Sequence, residues 1–292
     1  MTNPSLIVSA QWLNEHLDDP QIVIVDCRFS LADPELGQRQ YQISHIPGAH
    51  YLDLNQDLSS PVQQHGGRHP LPNPTELADK LAAIGVNFGQ TLVVAYDDSR
   101  LAFAARFWWL LRYLGHDRVT LLDGGWSSWQ TAGYPVTDTL PTSQLGNFVP
   151  QLRSDWVVDI ATVKARKDLS SVVLVDSRES DRYRGEREPI DPIAGHIPGA
   201  VNYPWQEVCD AQGYVRPLAE QKNRWTGLNP AAGCRPSPGK YSPSPQTSSP
   251  AWQKVCGRAP PPPRAALFGQ AFPLKRHNRP PPPTKRLQAG IL

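Results

Sequence analysis

Acidic side chains are missing from the end of this 292-residue chain. Residues 231–292 hold no Asp or Glu, but they hold 10 of the 29 Lys and Arg and 14 of the 31 prolines. The residues before them carry 19 basic and 27 acidic side chains, a balance of −8 that the overall +2 conceals. Cysteine is scarce too. Cys27, Cys209, Cys234 and Cys256 lie far apart, without the C-x-x-C spacing of a zinc site or the density of a disulfide framework. The opening MTNPSLIVSAQWLNEHL lacks the basic-then-apolar pattern of a signal peptide. No apolar run approaches the roughly 20 residues that span a bilayer. The expectation is a soluble, cytoplasmic chain with free thiols, no membrane partner, no metal and no cofactor.

What is present is a stretch that occurs twice. Val23-Ile24-Val25-Asp26-Cys27-Arg28 is followed by His45-Ile46-Pro47-Gly48-Ala49. Val173-Leu174-Val175-Asp176-Ser177-Arg178 is followed by Gly195-His196-Ile197-Pro198-Gly199-Ala200. The V-D-x-R pieces are 150 positions apart and the HIPGA pieces 151. A repeat this long implies a duplicated domain, since a unit of this size can bury its own core. A length of 292 residues suits about two domains.

Within the first copy, Ser9 can cap a helix running to Leu17. Ile22 to Val25 is a β-branched run suited to a strand buried on both faces. Asp26 and Arg28 follow at its C-terminal end, the edge where open α/β sheets bind ligands. A helix is predicted from Pro74 to Ile84 and a strand from Leu92 to Tyr96. The polar loop Asp97-Asp98-Ser99-Arg100 then leads into an apolar helix, Ala102 to Leu114. A strand from Val119 to Leu122 precedes Asp123-Gly124-Gly125-Trp126 and a helix from Ser127 to Ala132. Alternating strands and helices imply a parallel sheet with right-handed crossovers. The second copy reads as a helix around Asp159 to Arg166, a strand from Val172 to Val175, and a long charged loop from Arg178 to Ala194.

These features together resemble the tandem-domain rhodaneses, the thiosulfate and 3-mercaptopyruvate sulfurtransferases. The two V-D-x-R…H-I-P-G-A units carry the resemblance. So do Gly66-Gly67-Arg68-His69-Pro70-Leu71-Pro72, Leu122-Asp123-Gly124-Gly125-Trp126 and Asp181-Arg182-Tyr183-Arg184-Gly185. The resemblance covers roughly residues 5 to 228. It implies an α/β fold of two rhodanese-like domains, each a mostly parallel sheet flanked by helices. Domain 1 would take 5–135, a linker 136–154, and the N-terminal part of a truncated domain 2 would take 155–230. Residues 231–292 are expected to be a disordered, Pro-rich basic tail.

The resemblance also implies a chemistry. A cysteine thiolate in a strand-to-helix loop of the second domain takes sulfur from a small anionic donor, thiosulfate or 3-mercaptopyruvate. It passes the sulfur to cyanide or a thiol acceptor through a persulfide, with no cofactor. Backbone N–H groups and a helix N-terminus stabilise such a thiolate. In the first copy the corresponding position is Asp97, which cannot form a persulfide. An acid/base pair of Asp97 and Asp98 is the other reading.

The second copy should carry its nucleophile near residue 247, but Ser242-Pro243-Ser244-Pro245-Gln246-Thr247 is not a strand. Cys234 and Cys256 lack the strand–Cys–helix setting, and Cys27 and Cys209 read as buried or incidental thiols. A shifted reading frame after about residue 230 accounts for the change in composition, and a natural Pro-rich tail is the alternative. Arg182 matches the family arginine that binds the anionic donor, although a salt bridge with Glu179 or Asp181 would equally occupy it. Arg187 is a second candidate inside a solvated charge run. His45 and His196 read as structural residues of their turns. The basic tail has no aromatic interleaving, so no specific nucleic-acid partner is expected.

Overall fold

A computed structural model describes residues 5–63, 67–142, 144–189, 191 and 193–226, with the backbone of 287–289. The described residues form two compact units. The first takes residues up to Trp156 together with Trp205–Gln221, and the second takes Val157–Pro204 and the residues from Lys222 onward.

The first unit is a parallel sheet with helices between its strands. The elements are β1 (Ile7–Val8), α1 (Ala10–Glu15), β2 (Ile22–Asp26), α2 (Leu36–Ile43), β3 (Ala49–Tyr51), α3 (Pro74–Ala83), β4 (Leu92–Tyr96), α4 (Ala102–Tyr113), β5 (Val119–Leu122) and α5 (Gly125–Thr131). The strand order is β1-β5-β4-β2-β3, and every pairing is parallel. Ile24, Val94, Leu122, Leu13, Ile46 and Trp129 pack into one buried cluster. Burying each such side chain contributes about 1.5–3 kcal/mol. Sequence signals set the helix starts. The Ser9 hydroxyl accepts from Trp12 N–H (3.1 Å), and the Asn73 side chain accepts from Thr75 and Glu76 N–H.

The second unit holds α6 (Ile160–Arg166), β6 (Leu174–Asp176), α7 (Ser180–Arg184), β7 (Val201–Asn202) and β8 (Leu287–Ala289), while α8 (Leu218–Thr226) runs across the division after Gln221. Asp159 caps α6 through Thr162 N–H at 2.8 Å. The order β7-β6-β8 is again parallel throughout. The neighbours of β6 are thus β7 and β8, as those of β2 are β3 and β4.

Two readings of the sequence change. The expected charged loop after Arg178 contains a helical turn, α7, which has no buried residue and hence no apolar period to reveal it. Within the Pro-rich tail, the backbone of Leu287–Ala289 pairs with β6. This triplet is free of proline and keeps its N–H donors. Cys234, Cys256, the segment near residue 247 and the rest of 231–292 lie outside the described residues. Finally, Trp205–Gln221, assigned by sequence to the second domain, is compact with the first unit.

Candidate active site

The β4–α4 junction is where the first unit's sheet edge meets a helix N-terminus. Asp97 sits there, 1% exposed. Its carboxylate accepts four backbone N–H bonds. Ser99 and Leu101 donate to Oδ1 at 2.8 and 2.9 Å, and Phe103 and Ala104 donate to Oδ2 at 2.8 and 2.9 Å. The loop reaches this shape because Arg100 and Leu101 adopt φ of 58° and 67°. Two consecutive left-handed non-glycine residues are strained, and they persist because the N–H groups they turn inward all find one acceptor. Burial pushes the Asp97 carboxyl up to about 6, and the N–H groups of Ala104, Ser99, Phe103 and Leu101 oppose that rise. The result is a cradle for one negative charge, already filled by an internal carboxylate.

The next turn closes on the same loop. Trp126 N–H donates to the Asp97 carbonyl at 2.9 Å. Gly125 has φ of 53°, and a Cβ there would lie 2.2 Å from that carbonyl oxygen, so a side chain is excluded. Trp205–Gln221 covers this region. The Arg100 guanidinium donates through Nη2 to the carbonyls of Gln206 (3.0 Å), Asp210 (2.9 Å) and Cys209 (3.4 Å). Val215 N–H donates to Asp123 Oδ1 at 2.8 Å. Cys209 is buried against the Arg100 carbonyl, and burial pushes its thiol up to about 11. Burial likewise pushes the Cys27 thiol well above its ordinary value, with Asp26, Asp97 and Asp57 adding to the effect. Neither described cysteine is a thiolate at neutral pH.

The repeated motif builds the same structure twice. In the first unit Arg28 donates to Asp26 through Nε (2.9 Å to Oδ2) and Nη2 (2.7 Å), and through Nη2 to the Ser44 carbonyl (2.7 Å). In the second unit Arg178 donates to Asp176 through Nε (3.1 Å to Oδ1) and Nη2 (2.7 Å), and to the Gly195 carbonyl. Each arginine thus ties a strand end to the H-I-P-G turn. Burial raises Asp26 above the ordinary carboxylate value, against the pull of Arg28 and Tyr96.

The histidines follow suit. His45 Nδ1 lies 2.7 Å from the Tyr41 carbonyl and stacks on that ring, while His196 makes the same contact with Tyr183 at 2.7 Å. Tyr41 and Tyr183 each donate to the alanine that ends the turn, Ala49 and Ala200, at 2.7 Å. Both histidines therefore hold their own turns.

This pairing of Tyr41 with Tyr183 shows where the copies differ. The tyrosine stands 15 residues after Asp26 but 7 after Asp176, and the histidine then follows after 4 residues in one copy and 13 in the other. Nine residues are thus gained between the tyrosine and the histidine, and they carry Glu188 and Asp191.

Arg182 and Arg187 lie beside and within this gained stretch, on different partners. Arg182 is largely buried and donates to Glu188 through Nε (3.2 Å) and Nη2 (2.8 Å), and to Asp191 through Nη2 (2.7 Å). Its guanidinium does not pair with the Glu179 and Asp181 side chains named from the sequence, although its backbone N–H donates to Asp181 Oδ1 at 2.8 Å. Those two carboxylates pair with Arg187, which is half exposed. The same four partners therefore separate a buried arginine from a solvated one. Glu188, Asp191 and the Asp97 cradle carry no sequence signal beyond their charge.

A pattern for the rhodanese-like domain matches residues 9–132. A Pseudomonas aeruginosa protein named "Probable 3-mercaptopyruvate sulfurtransferase" is 45% identical over 224 residues, covering 76% of this chain and 78% of that protein. The chain belongs to the tandem-domain rhodanese family. Among other rhodanese relatives, the human 3-mercaptopyruvate sulfurtransferase is 35% identical over 229 residues, covering 73% of this chain and 74% of its own length. The crystal structure of SseA from Escherichia coli, described as a 3-mercaptopyruvate sulfurtransferase with the rhodanese fold, superposes with a TM-score of 0.68 at 30% identity. That match covers 77% of this chain and 84% of SseA. The rhodanese fold is thus shared with SseA, and the Pseudomonas and human relatives are named as sulfurtransferases. Among the described residues, no helix is long and apolar enough to cross a membrane.

Proposed function

We propose that this rhodanese is a sulfurtransferase of the persulfide type, with Arg182 binding a thiosulfate or 3-mercaptopyruvate donor and cyanide or a thiol as acceptor. The first domain, 5–135, is non-catalytic, the linker runs from 136 to 154, and domain 2 begins near 155. The observation that carries this reading is the Asp97 cradle. Four converging N–H groups at a strand-to-helix junction are what a thiolate or persulfide nucleophile needs, and here a carboxylate fills the place. A duplicated chain with one blocked copy leaves the chemistry to the other. In that copy the nucleophile loop would fall near residue 247, where the sequence as written has proline and serine. Neither Cys234 nor Cys256 follows a strand sequence.

The reading is tested by thiocyanate formation from cyanide with thiosulfate or 3-mercaptopyruvate as donor. Robust turnover that survives serine substitution of each cysteine would sink the persulfide mechanism. Resequencing the coding DNA for residues 225–292 tests the tail directly. A second frame reading strand, Cys-x-x-Gly-x and helix would mean that activity belongs to the restored chain.

A second reading, a non-catalytic rhodanese-like binding module with a Pro-rich interaction tail, is favoured by the absence of cysteine at both nucleophile positions. It predicts saturable anion or protein binding that needs Arg182, with no turnover and no alternative frame.

A further inference from the structure

The surroundings of Arg182 are negative, not positive. Two arginines, Arg178 and Arg182, share three carboxylates, Asp176, Glu188 and Asp191. The formal sum is one negative charge, so an anion approaching Arg182 meets repulsion from carboxylates already paired with it.

The two carboxylates on Arg182 are held differently. Glu188 is 5% exposed and accepts from Arg182 Nε and Nη2, from Arg178 Nη1 (3.4 Å) and from Asp191 N–H (3.0 Å). Asp191 is 24% exposed, meets Arg182 only through Nη2, and stands 3.8 Å from Arg178. Arg182 Nη1 donates no hydrogen bond among the described residues. Both carboxylates belong to the stretch that the second copy gained, so the first copy has no counterpart.

Building on the assignment of Arg182 to the donor, we infer that Asp191 is a displaceable latch on this arginine, while Glu188 is its fixed counter-ion. An incoming anionic sulfur donor takes Nη1 and pushes the Asp191 carboxylate off Nη2. Glu188 keeps its grip on Nε and so positions the guanidinium. Displacement of a like charge discriminates between donors. A doubly charged donor such as thiosulfate is disfavoured more strongly than 3-mercaptopyruvate, whose carboxylate supplies one full charge at neutral pH.

The test is calorimetric titration of thiosulfate, and separately of 3-mercaptopyruvate, into the full chain at low salt. Asp191→Asn is expected to bind thiosulfate roughly tenfold more tightly, the scale of one charge-assisted hydrogen bond that no longer has to be broken. The gain should be smaller for 3-mercaptopyruvate and should shrink as salt is added. Asp191→Glu, which restores the charge, should return to the parent affinity. Asp191→Ser serves if the asparagine variant loses its circular dichroism. Adding Arg182→Gln should abolish binding in every background.

If Arg182→Gln abolishes binding but neither Asp191→Asn nor Asp191→Ser tightens it, the latch is wrong and the donor assignment stands. If binding is indifferent to Arg182, or absent from every variant, the donor assignment itself falls and takes the latch with it.

Discussion

At the scale of one residue, Asp97 is held by backbone donors alone. Four N–H groups point at a carboxylate that is 1% exposed. Asp97→Ala leaves all four without an acceptor, and Asp97→Asn turns an amide N–H₂ toward two of them. Either change should lower stability by about 2–4 kcal/mol at neutral pH, read from urea unfolding. The pH dependence has a defined sign. The folded carboxyl titrates at about 6, above its ordinary value of 3.8, because burial disfavours its charge. The folded state therefore holds this proton more tightly than the unfolded state does. The contribution of Asp97 is greatest below pH 3.8 and declines as pH rises to about 6, with no further change above. The difference in unfolding free energy between the parent and Asp97→Asn should accordingly fall from pH 4 to 6. A rise would mean that the N–H groups outweigh desolvation.

At the scale of elements, the site is one loop pressed against the next. Gly125→Ala forces a Cβ to 2.2 Å from the Asp97 carbonyl, at a φ that side chains avoid. A loss of roughly 3 kcal/mol is expected, seen as a lowered thermal midpoint of the first unit.

Elements also explain which parts of the fold the sequence made legible. The strands Ile22–Asp26 and Leu92–Tyr96 announced themselves through the runs 22–25, all β-branched, and 92–95, all apolar, because both faces are largely covered. The helix Leu36–Ile43 did not, since its polar run LGQRQYQI buries only Gly37 and Tyr41. The position of Asp97 followed from the repeat and the family resemblance. Its cradle did not, because Arg100 and Leu101 adopt left-handed φ without any glycine or asparagine to advertise it. The partners of Arg182 were misassigned for a related reason. Glu179 and Asp181 are nearer in sequence, but α7 turns their side chains toward Arg187 and leaves Arg182 to Glu188 and Asp191.

At the scale of the whole molecule, chain order and compactness disagree. Trp205–Gln221 follows the second copy's H-I-P-G turn, yet it packs with the first unit. Sequence reading assigns segments by adjacency and so missed this. Arg100 holds the segment through three carbonyl oxygens. Arg100→Ala in the full chain should therefore expose 205–221 to limited proteolysis, with new cleavage there before any in β4 or α4. Unchanged digestion would mean that the bond from Val215 N–H to Asp123 suffices. The repeat has a whole-molecule consequence as well. The arginine, histidine and tyrosine contacts are kept in both units, while the loop lengths between them shift by eight and nine residues in opposite directions. The offset between the motifs consequently changes by only one residue and conceals both changes.

A carboxylate cannot be oxidised, alkylated or nitrosated under conditions that destroy a thiolate. With Asp97 in the cradle, and with Cys27 and Cys209 both buried and protonated at neutral pH, the described residues of the first unit present no thiolate to peroxides and electrophiles. Its β4–α4 loop keeps its shape through oxidative exposure that would disable a sulfur nucleophile in the same place.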